Sequence, residues 1–232
     1  MIQLVGFDGD DTLWHSEGYY QAVHDEFERL VGRYVDLSDA RVHERLLETE
    51  KRNIRLFGYG AKGMTLSMIE TAIEVTDGRV PARVIGDLIA AGRLMLEHPI
   101  DLLPHARATV TKLASRYRVV LITKGDLLDQ ERKLAQSGLG DLFDGVEIVS
   151  HKTAAAYAAI FARHGTGADQ AMMVGNSLKS DVIPALEAGS WGVHIPHGLT
   201  WALELADAPE DHRRFHALPD LGTLPALVEK LA

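Results

Sequence analysis

The feature that most constrains this chain is an apolar segment near its start that ends in a cluster of acidic residues. Residues 2–7 read IQLVGF, and residues 8–12 read DGDDT. The apolar run fits a buried strand of a parallel sheet and is too short to span a membrane. Asp8 would then lie at the carboxyl end of a central strand, at the edge of an open α/β sheet where ligands bind. Because Asp8 and Asp10 repel each other there, the pair predicts a divalent cation, with a solvated acidic turn as the alternative.

The composition narrows the class of protein. With 232 residues, 46 % hydrophobic and 25 % charged, the chain is expected to form one large globular domain or a domain with an insert. A formal net charge of −9 argues against nucleic acid as a partner, although local cations still permit a small anionic substrate. The absence of cysteine excludes disulfides, thiolate metal sites and a cysteine nucleophile. The sequence shows neither a secretory signal nor an apolar stretch of about 20 residues, so we expect a cytoplasmic protein that does not enter a membrane.

The pattern changes from strand to helix after Trp14. Over residues 15–98 the apolar residues recur at helical spacing, which predicts four helices and no strand. One of these helices is predicted over Asp39–Leu56, and the last begins at Pro81. We interpret residues 15–98 as a helical cap inserted after the first strand.

From Pro104 onward, predicted helices and strands alternate. The strands are expected over 119–122, 146–149, 171–174 and 191–195, and the helices over 104–116, 127–137, 153–164, 180–188 and 224–231, with a loop-rich segment over 197–221. This alternation is typical of a parallel sheet with helices on both faces. The predicted fold class is therefore α/β: a three-layer, Rossmann-like parallel sheet core formed by residues 1–14 and 99–232, with an inserted α-helical cap domain at 15–98.

Polar residues follow four of the predicted strands. The segments read DGDDT at 8–12, ITKG at 122–125, SHK at 150–152 and GNSLKSD at 175–181. Because the carboxyl ends of parallel strands share one edge of a sheet, these segments are expected to meet in space. In order and spacing they resemble the four motifs of the haloacid-dehalogenase-like hydrolase superfamily: a DxDxT segment, a Ser or Thr, a Lys and a terminal acidic motif. The helical insert resembles the family's helical cap.

The resemblance implies a role for each catalytic residue. Asp8 would attack phosphorus as the nucleophile, and Asp10 would protonate the leaving oxygen and then accept a proton from water. The two carboxyls therefore need different environments, so that one stays ionised while the other can hold a proton. Thr12 would hold Asp10 in place by hydrogen bonding, and Thr123 would bind a phosphoryl oxygen. Lys152 would neutralise the Asp8 side chain and the phosphoryl group.

The same resemblance implies Mg²⁺ as the cofactor. Its ligands would be the Asp8 carboxylate, the Asp10 main-chain carbonyl and the last motif. That motif departs from the family pattern, because Asn176 stands where an aspartate is usual, and the ligand from this motif is either Asn176 or Asp181. A second departure is Asp11, which occupies a position that is usually glycine and whose charge has no role that the sequence defines.

The candidates for contact with the substrate are Thr12, Lys124, Gly125 and Lys62. Gly125 belongs to the turn whose N–H groups would help to bind phosphate, and Lys124 beside it either assists or is simply exposed. Lys62 lies in the segment GYGAKG at 58–63, which fits a dinucleotide-binding pattern but follows a charged helical segment instead of the strand that such a site needs. We interpret this segment as a cap loop, in which Lys62 either contacts substrate or is a solvated surface residue.

These expectations describe a phosphatase that hydrolyses a small phosphorylated metabolite through an aspartyl-phosphate. The cap would close over the site, exclude bulk water and choose the substrate. Two alternatives use the same scaffold: a phosphomutase, and a metal-free haloacid dehalogenase, against which Asp10 argues because that reaction has no leaving oxygen to protonate. A non-enzymatic phospho-receiver module is a third alternative, in which the helical cap would have no use. The sequence defines neither the substrate nor the oligomeric state.

Overall fold

The computed structural model describes residues 1–231 and divides into two compact units. The first unit comprises Met1–Glu17 and Ile100–Ala232, and the second comprises Gly18–Pro99. The strands are β1 (Leu4–Phe7), β2 (Arg118–Lys124), β3 (Gly145–Val149), β4 (Ala171–Gly175), β5 (Trp191–His194) and β6 (Phe215–Ala217). The helices are α1 (Glu17–Val31), α2 (Val42–Phe57), α3 (Ala61–Val75), α4 (Ala82–Glu97), α5 (Ala106–Ala114), α6 (Leu127–Ser137), α7 (Ala154–His164), α8 (Ile183–Glu187) and α9 (Leu224–Leu231). None of the helices in residues 1–231 combines the length and the apolar character that a membrane span requires.

The strands of the first unit form one parallel sheet in the order β3-β2-β1-β4-β5-β6. This arrangement confirms the α/β class and the Rossmann-like parallel sheet expected from the sequence. The first strand of the chain, β1, lies near the middle of the sheet, between β2 and β4. Phe7, its last residue, is in register with Leu121 of β2 and with Val174 of β4. The loops that follow these three strands therefore emerge side by side at one edge.

Helices pack against both faces of the sheet, and alternate strand residues supply two separate apolar layers. On one face Val5 and Phe7 pack in a cluster that includes Leu113 of α5 and Val228 of α9. On the other face Leu4 packs in a cluster with residues from β2, β4 and α7, among them Ile122, Met173, Tyr157 and Phe161. Because both of its faces are buried, β1 has a continuous apolar sequence and not an alternating one.

The second unit is helical, and residues 18–99 contain no strand. Its core draws on all four of its helices, with Phe27, Leu46, Met68 and Leu88 among the buried side chains. The helix expected from Asp39 begins at Val42 instead. The side chain of Asp36 accepts hydrogen bonds from the N–H groups of residues 38 and 39, and these bonds hold the backbone in a turn before the helix.

Two features of the first unit differ from the expected elements. The segment over 197–221, expected to be loop-rich, contains β6, which pairs with β5 at the edge of the sheet. Three residues carry too little periodicity to be recognised as a strand. In place of one helix over 180–188, a π-helical turn at Leu178–Val182 leads into the short helix α8.

We predict that alanine substitutions at two glycines of α4 change stability in opposite directions. A Cβ at Gly92 would lie 2.1 Å from the Thr65 hydroxyl of α3, whereas a Cβ at the exposed Gly86 would meet nothing within 4 Å. Gly92→Ala should lower the free energy of unfolding by about 1–3 kcal/mol through overpacking, and Gly86→Ala should raise it by up to about 1 kcal/mol through helix propensity. Urea denaturation measures both. Equal effects of the two substitutions would contradict the proposed close approach of α3 and α4.

Candidate active site

The strand register brings polar residues from distant parts of the sequence to one edge of the sheet. Asp8 follows β1 directly, and its N–H donates to the carbonyl of Val174 at 2.9 Å, which continues the ladder between β1 and β4. Asn176 follows β4, and Thr123 lies at the end of β2. Lys152 precedes α7 in the segment that follows β3. The motif segments therefore lie together at one edge of the sheet, as the sequence predicts.

The centre of this edge is a buried cluster of one lysine and two aspartates. The Lys152 ammonium donates to Oδ1 of Asp8 at 2.5 Å and to Oδ1 of Asp181 at 2.6 Å. The Lys152 side chain is only 2 % exposed, so this charge depends on its two partners and not on water. The other oxygen of Asp181 accepts the N–H of Ser177 at 2.9 Å. A Cβ at Gly175 would lie 2.2 Å from that oxygen. Only glycine at position 175 therefore leaves room for the Asp181 carboxylate.

The cluster changes the acidity of its members. Burial and the negative charge of Asp181 raise the pKa of Asp8 to about 7, although the ammonium of Lys152 opposes the shift. Burial lowers the pKa of Lys152, but the charges of Asp181 and Asp8 outweigh burial, and the net pKa lies above its usual range. Lys152 is therefore held as the charged ammonium.

Thr12 links the loop after β1 to the loop after β4. Its hydroxyl lies 3.2 Å from Oδ2 of Asp8 and 3.3 Å from Oδ1 of Asn176, and it accepts the Asn176 N–H at 2.9 Å. The expectation that Thr12 holds Asp10 is wrong, because its hydroxyl is directed to Asp8 and Asn176 instead. Thr12 is 1 % exposed and thus acts as a buried link between two loops.

Three other side chains hold Asp10. Trp14 Nε1 and Lys133 Nζ each donate to Oδ1 of Asp10 at 2.8 Å, and Gln130 Nε2 donates to Oδ2 at 2.9 Å. Burial raises the pKa of Asp10, but the charge and hydrogen bond of Lys133, with the bonds from Gln130 and Trp14, outweigh it and bring the pKa below its usual range. The two carboxyls do have different environments, but in the opposite sense to the one expected: Asp10 has the lower pKa and Asp8 the higher one.

Asp11 has a structural role that the sequence did not reveal. Its two carboxylate oxygens accept the N–H groups of Ser16 and Glu17, each at 2.9 Å, at the start of α1. Asp11 has a positive φ of 58°, a conformation that glycine and aspartate tolerate better than most residues. An aspartate can therefore replace the usual glycine at this turn and also satisfy the free N–H groups at the helix N-terminus.

Lys124 is paired within the protein. Its ammonium forms an ion pair with Glu204 and donates to the Ser180 hydroxyl at 2.9 Å. The second oxygen of Glu204 accepts from the Ser177 hydroxyl at 2.5 Å. Burial raises the pKa of Glu204, but the charge and hydrogen bond of Lys124 outweigh it and lower the net pKa. Glu204 thus joins the loops after β2 and β4. Lys124 is not simply exposed, because its side chain is 18 % exposed and paired with Glu204, and its contact with phosphate stays a prediction.

Three other residues were predicted to take part in the site: Thr123, Gly125 and Lys62. Thr123 is 1 % exposed, and its hydroxyl has one hydrogen bond recorded within residues 1–231, a long contact of 3.5 Å to the carbonyl of Lys124. Gly125 has a φ of +139°, which favours glycine at this turn. Lys62 belongs to the first turn of α3 in the second unit, where it is exposed.

The oxygens beside Asp8 form a donor set suited to a hard cation. Oδ2 of Asp8 and Oδ1 of Asn176 lie within 3.3 Å of the same hydroxyl, that of Thr12, so both oxygens adjoin one point of the site. Within residues 1–231, no group of three or more His, Cys, Asp or Glu side chains is arranged to hold a metal. One carboxylate, one amide oxygen and main-chain carbonyls nevertheless fit Mg²⁺, which keeps several waters and uses few protein ligands. The Asp181 carboxylate is directed instead to Lys152 and to the N–H of Ser177.

Sequence reasoning missed three residues of this site: Gln130, Lys133 and Glu204. Gln130 and Lys133 are three residues apart on α6, so their spacing places them on one face of the predicted helix 127–137. Nothing in the sequence indicates that this face is directed to Asp10. Glu204 lies in a short 3₁₀ turn at Ala202–Glu204, inside the segment expected to be loop-rich, and no pattern distinguishes it from a surface glutamate.

Comparisons with known proteins agree on one family. Residues 2–189 match the family model described as haloacid dehalogenase-like hydrolase. A solved haloacid dehalogenase-like family hydrolase from Xanthomonas campestris is 46 % identical over 99 % of this chain and 91 % of that chain, with a TM-score of 0.89. No curated protein matches the chain.

Two more distant structures share the fold. The HAD-hydrolase YfnB from Bacillus subtilis, bound to magnesium, is 16 % identical over 98 % of each chain, with a TM-score of 0.66. The L-2-haloacid dehalogenase from Xanthobacter autotrophicus, with chloropropionic acid covalently bound, is 20 % identical over 100 % of each chain, with a TM-score of 0.65.

Substitutions of Asp11 should separate its two structural contributions. Asp11→Asn retains one acceptor oxygen and tolerates the positive φ. Asp11→Gly relieves the backbone but removes the cap, and Asp11→Ala loses the cap and is strained as well. Loss of a helix cap costs about 0.5–2 kcal/mol, so the free energy of unfolding should fall in the order wild type, Asn, Gly, Ala. Chemical denaturation measures this order. A glycine variant as stable as the wild type would show that the two hydrogen bonds contribute nothing.

Proposed function

This chain belongs to the haloacid dehalogenase-like hydrolase family, and we propose that within it the protein is a Mg²⁺-dependent phosphatase. The proposed reaction is hydrolysis of the phosphomonoester of a small phosphorylated metabolite through an aspartyl-phosphate on Asp8. The proposal includes a substrate-selecting role for the helical unit Gly18–Pro99, which resembles the family's cap.

The observation that carries this proposal is the two-sided environment of the Asp8 carboxylate. Lys152 binds one of its oxygens, and the other lies beside Thr12 and the amide oxygen of Asn176. Asp10, a second carboxylate two residues away, has a side chain that is 27 % exposed. A buried nucleophile with one fixed cation and a neighbouring acid–base group is what phosphoryl transfer to a carboxylate requires.

In the first half of the proposed reaction an oxygen of Asp8 attacks phosphorus, and the bond from phosphorus to the ester oxygen breaks. Asp10 donates its proton to the departing oxygen, which leaves as an alcohol. Lys152 remains charged throughout, so it stabilises the Asp8 carboxylate and the negative charge on the phosphoryl oxygens. The hydroxyl and main-chain N–H groups at the turn after β2, from Thr123 to Gly125, are proposed to bind those oxygens.

In the second half Asp10 accepts a proton from a water molecule as that water attacks the phosphoryl group. The bond between Asp8 and phosphorus breaks, releasing inorganic phosphate and restoring the carboxylate. Asp10 gives one proton and takes one proton in each turnover, so the cycle is balanced. Because its pKa is lowered, Asp10 exchanges this proton with solvent between turnovers and reacts from its protonated form.

Mg²⁺ is proposed to be held by Asp8, the main-chain carbonyl of Asp10 and Asn176. When bound, it would supply positive charge that favours the ionised form of Asp8 and reduces repulsion between carboxylate and phosphate. If Asp8 and Asp181 are both ionised, the cluster with Lys152 has one negative charge in excess, which is consistent with an added cation. Asp181 is proposed to act by orienting Lys152, or through a water on the metal.

Haloacid dehalogenation is the second candidate, favoured by one observation. Asn176 is neutral, and Asp8 with Lys152 forms the carboxylate–ammonium pair that such a reaction requires without a metal. Release of halide from 2-chloropropionate in the presence of EDTA, with no hydrolysis of phosphate esters, would establish this alternative. A screen of phosphorylated metabolites with and without Mg²⁺ tests the phosphatase directly.

We expect Asp8→Asn to abolish Mg²⁺-dependent hydrolysis of p-nitrophenyl phosphate. The amide lacks the charge and nucleophilicity of the carboxylate, so no aspartyl-phosphate can form, and the expected loss is on the order of 10³-fold or more. Release of p-nitrophenol measures the activity, and circular dichroism confirms that the variant is folded. Near-normal activity in this variant would overturn the assignment of Asp8 as nucleophile.

We also expect Asn176→Asp to lower the Mg²⁺ concentration needed for half-maximal activity. A carboxylate has the same shape as the amide and adds a negative charge to the proposed ligand set. Titration of activity with Mg²⁺, and of metal binding by calorimetry, measures the change. If the Mg²⁺ requirement is the same as in the wild type, Asn176 is not a ligand and Asp181 becomes the candidate from this motif.

A further inference from the structure

We propose that Lys133 and Gln130 of α6 are positioning residues for Asp10, and that they leave only its Oδ2 oxygen able to exchange a proton with the substrate or water. This inference rests on the proposed function, because it concerns the acid–base step of the same site.

The hydrogen bonds of Asp10 are distributed unequally between its two oxygens. A carboxylate oxygen has two lone pairs for hydrogen bonds. Oδ1 accepts hydrogen bonds from Trp14 Nε1 and Lys133 Nζ, both at 2.8 Å, so its two acceptor positions are occupied. Oδ2 receives Gln130 Nε2 at 2.9 Å and keeps one position open. The Asp10 side chain as a whole is 27 % exposed, and the open position on Oδ2 is the one proposed to face the site.

Gln130 is held in the orientation that this arrangement needs. Its Nε2 donates to the main-chain carbonyl of Lys124 at 3.1 Å as well as to Asp10. Its Oε1 is buried and has no hydrogen-bond partner within residues 1–231. A buried amide oxygen without a partner is unfavourable, so the two donor contacts outweigh that penalty and fix the amide group.

The turn after β2 makes room for Gln130. A Cβ at Gly125 would lie 2.9 Å from Gln130 Nε2, and the φ of +139° at this position also favours glycine. The glycine next to the proposed phosphate-binding turn therefore allows the amide to approach Asp10.

Lys133 is positioned as firmly as Gln130. It is 7 % exposed, and its ammonium lies 3.6 Å from Asp129 of the same helix as well as 2.8 Å from Asp10. Helix α6 has an N-terminal cap in which the Asp126 side chain accepts the N–H of Asp129 at 3.2 Å. The two donors to Asp10 thus project from one capped helix, so their spacing is set by the helix and not by a flexible loop.

The first test compares two phosphate esters that differ in their need for a proton. The p-nitrophenolate group leaves without protonation, whereas the alkoxide of ethyl phosphate needs a general acid. Lys133→Met should lower kcat/KM for ethyl phosphate by roughly tenfold or more beyond any loss for p-nitrophenyl phosphate, since general acid–base catalysis contributes about 10²–10⁴-fold. Loss of the ammonium by itself raises the pKa of Asp10 and favours its acid form, so a loss of this size reflects lost positioning and not a change in ionisation. Gln130→Met removes a neutral donor and should change the ratio of the two kcat/KM values in the same direction. This variant replaces Lys133→Met in the test if Lys133→Met does not fold.

The control for these variants is Lys112→Met. Lys112 is exposed on α5, where its ammonium pairs with Glu229 at 3.5 Å, so the same chemical change is made outside the site. It should leave the ratio of the two kcat/KM values unchanged. Equal losses on the two esters in Lys133→Met and Gln130→Met would overturn the proposal, because that result indicates general destabilisation and not a loss of acid catalysis.

The second test does not depend on activity. Trp14 Nε1 shares Oδ1 of Asp10 with Lys133, so its indole N–H resonance in ¹⁵N-labelled protein reports on this oxygen. The chain has three tryptophans, and the variants Trp191→Phe and Trp201→Phe assign the Trp14 signal by elimination. The signal should shift in Lys133→Met and stay in place in Lys112→Met. An unchanged signal in both Lys133→Met and Gln130→Met would overturn the proposal, whereas a shift in a protein that hydrolyses neither ester would contradict the proposed function alone.

Discussion

The buried ammonium of Lys152 is the interaction on which the rest of the site depends. A charge that is nearly excluded from water is stable only when opposite charges and hydrogen bonds replace the lost solvent. Asp8 from the loop after β1 and Asp181 from the π-helical turn after β4 provide those partners. The ion pairs therefore require that the ends of β1 and β4 lie next to each other and that position 175 has no side chain. The chemistry proposed for Asp8 and the packing of the sheet edge thus share one set of constraints.

Other side chains join the loops at this edge in the same manner. Thr12 connects the loops after β1 and β4, Glu204 connects Lys124 with Ser177, and Asp10 connects the first loop to α6. Each link joins residues far apart in the sequence. A site held in this way is pre-organised, since its polar groups are already oriented before a substrate binds. The carboxylates that the family resemblance assigned to chemistry also contribute to this scaffold.

The fold alone does not determine the reaction, since one scaffold supports several chemistries. Two residues bear on the choice between phosphoryl transfer and dehalogenation. Asp10 is a second carboxylate with an open acceptor position, which a metal-free dehalogenation does not need. Asn176 places an amide oxygen where a carboxylate is usual, which weakens the charge of the proposed metal site without removing its oxygen. Asp10 favours phosphoryl transfer, whereas the neutral Asn176 is compatible with dehalogenation. The screens with phosphate esters and 2-chloropropionate distinguish the two reactions.

The sequence by itself determined the elements that depend on local pattern. The apolar run before Asp8, the alternation of strands with helices and the boundaries of α6 and α9 follow from periodicity and turn residues over short windows. The four motif segments could be assigned to one sheet edge because parallel strands have a common direction. The start of α2 shifted because of the Asx-turn at Asp36, and β6 was too short to show a period.

Only the tertiary structure decided which side chains meet. Lys133 and Gln130 are ordinary helix residues in the sequence, and their contact with Asp10 arises from the packing of α6 against the first loop. The same holds for Glu204 and Lys124, and for Thr12, which binds Asp8 and Asn176 in place of Asp10. A residue's partners across the chain depend on three-dimensional distances that no local pattern encodes. The sequence therefore predicted the reacting groups, and the fold determined how each of them is charged and held.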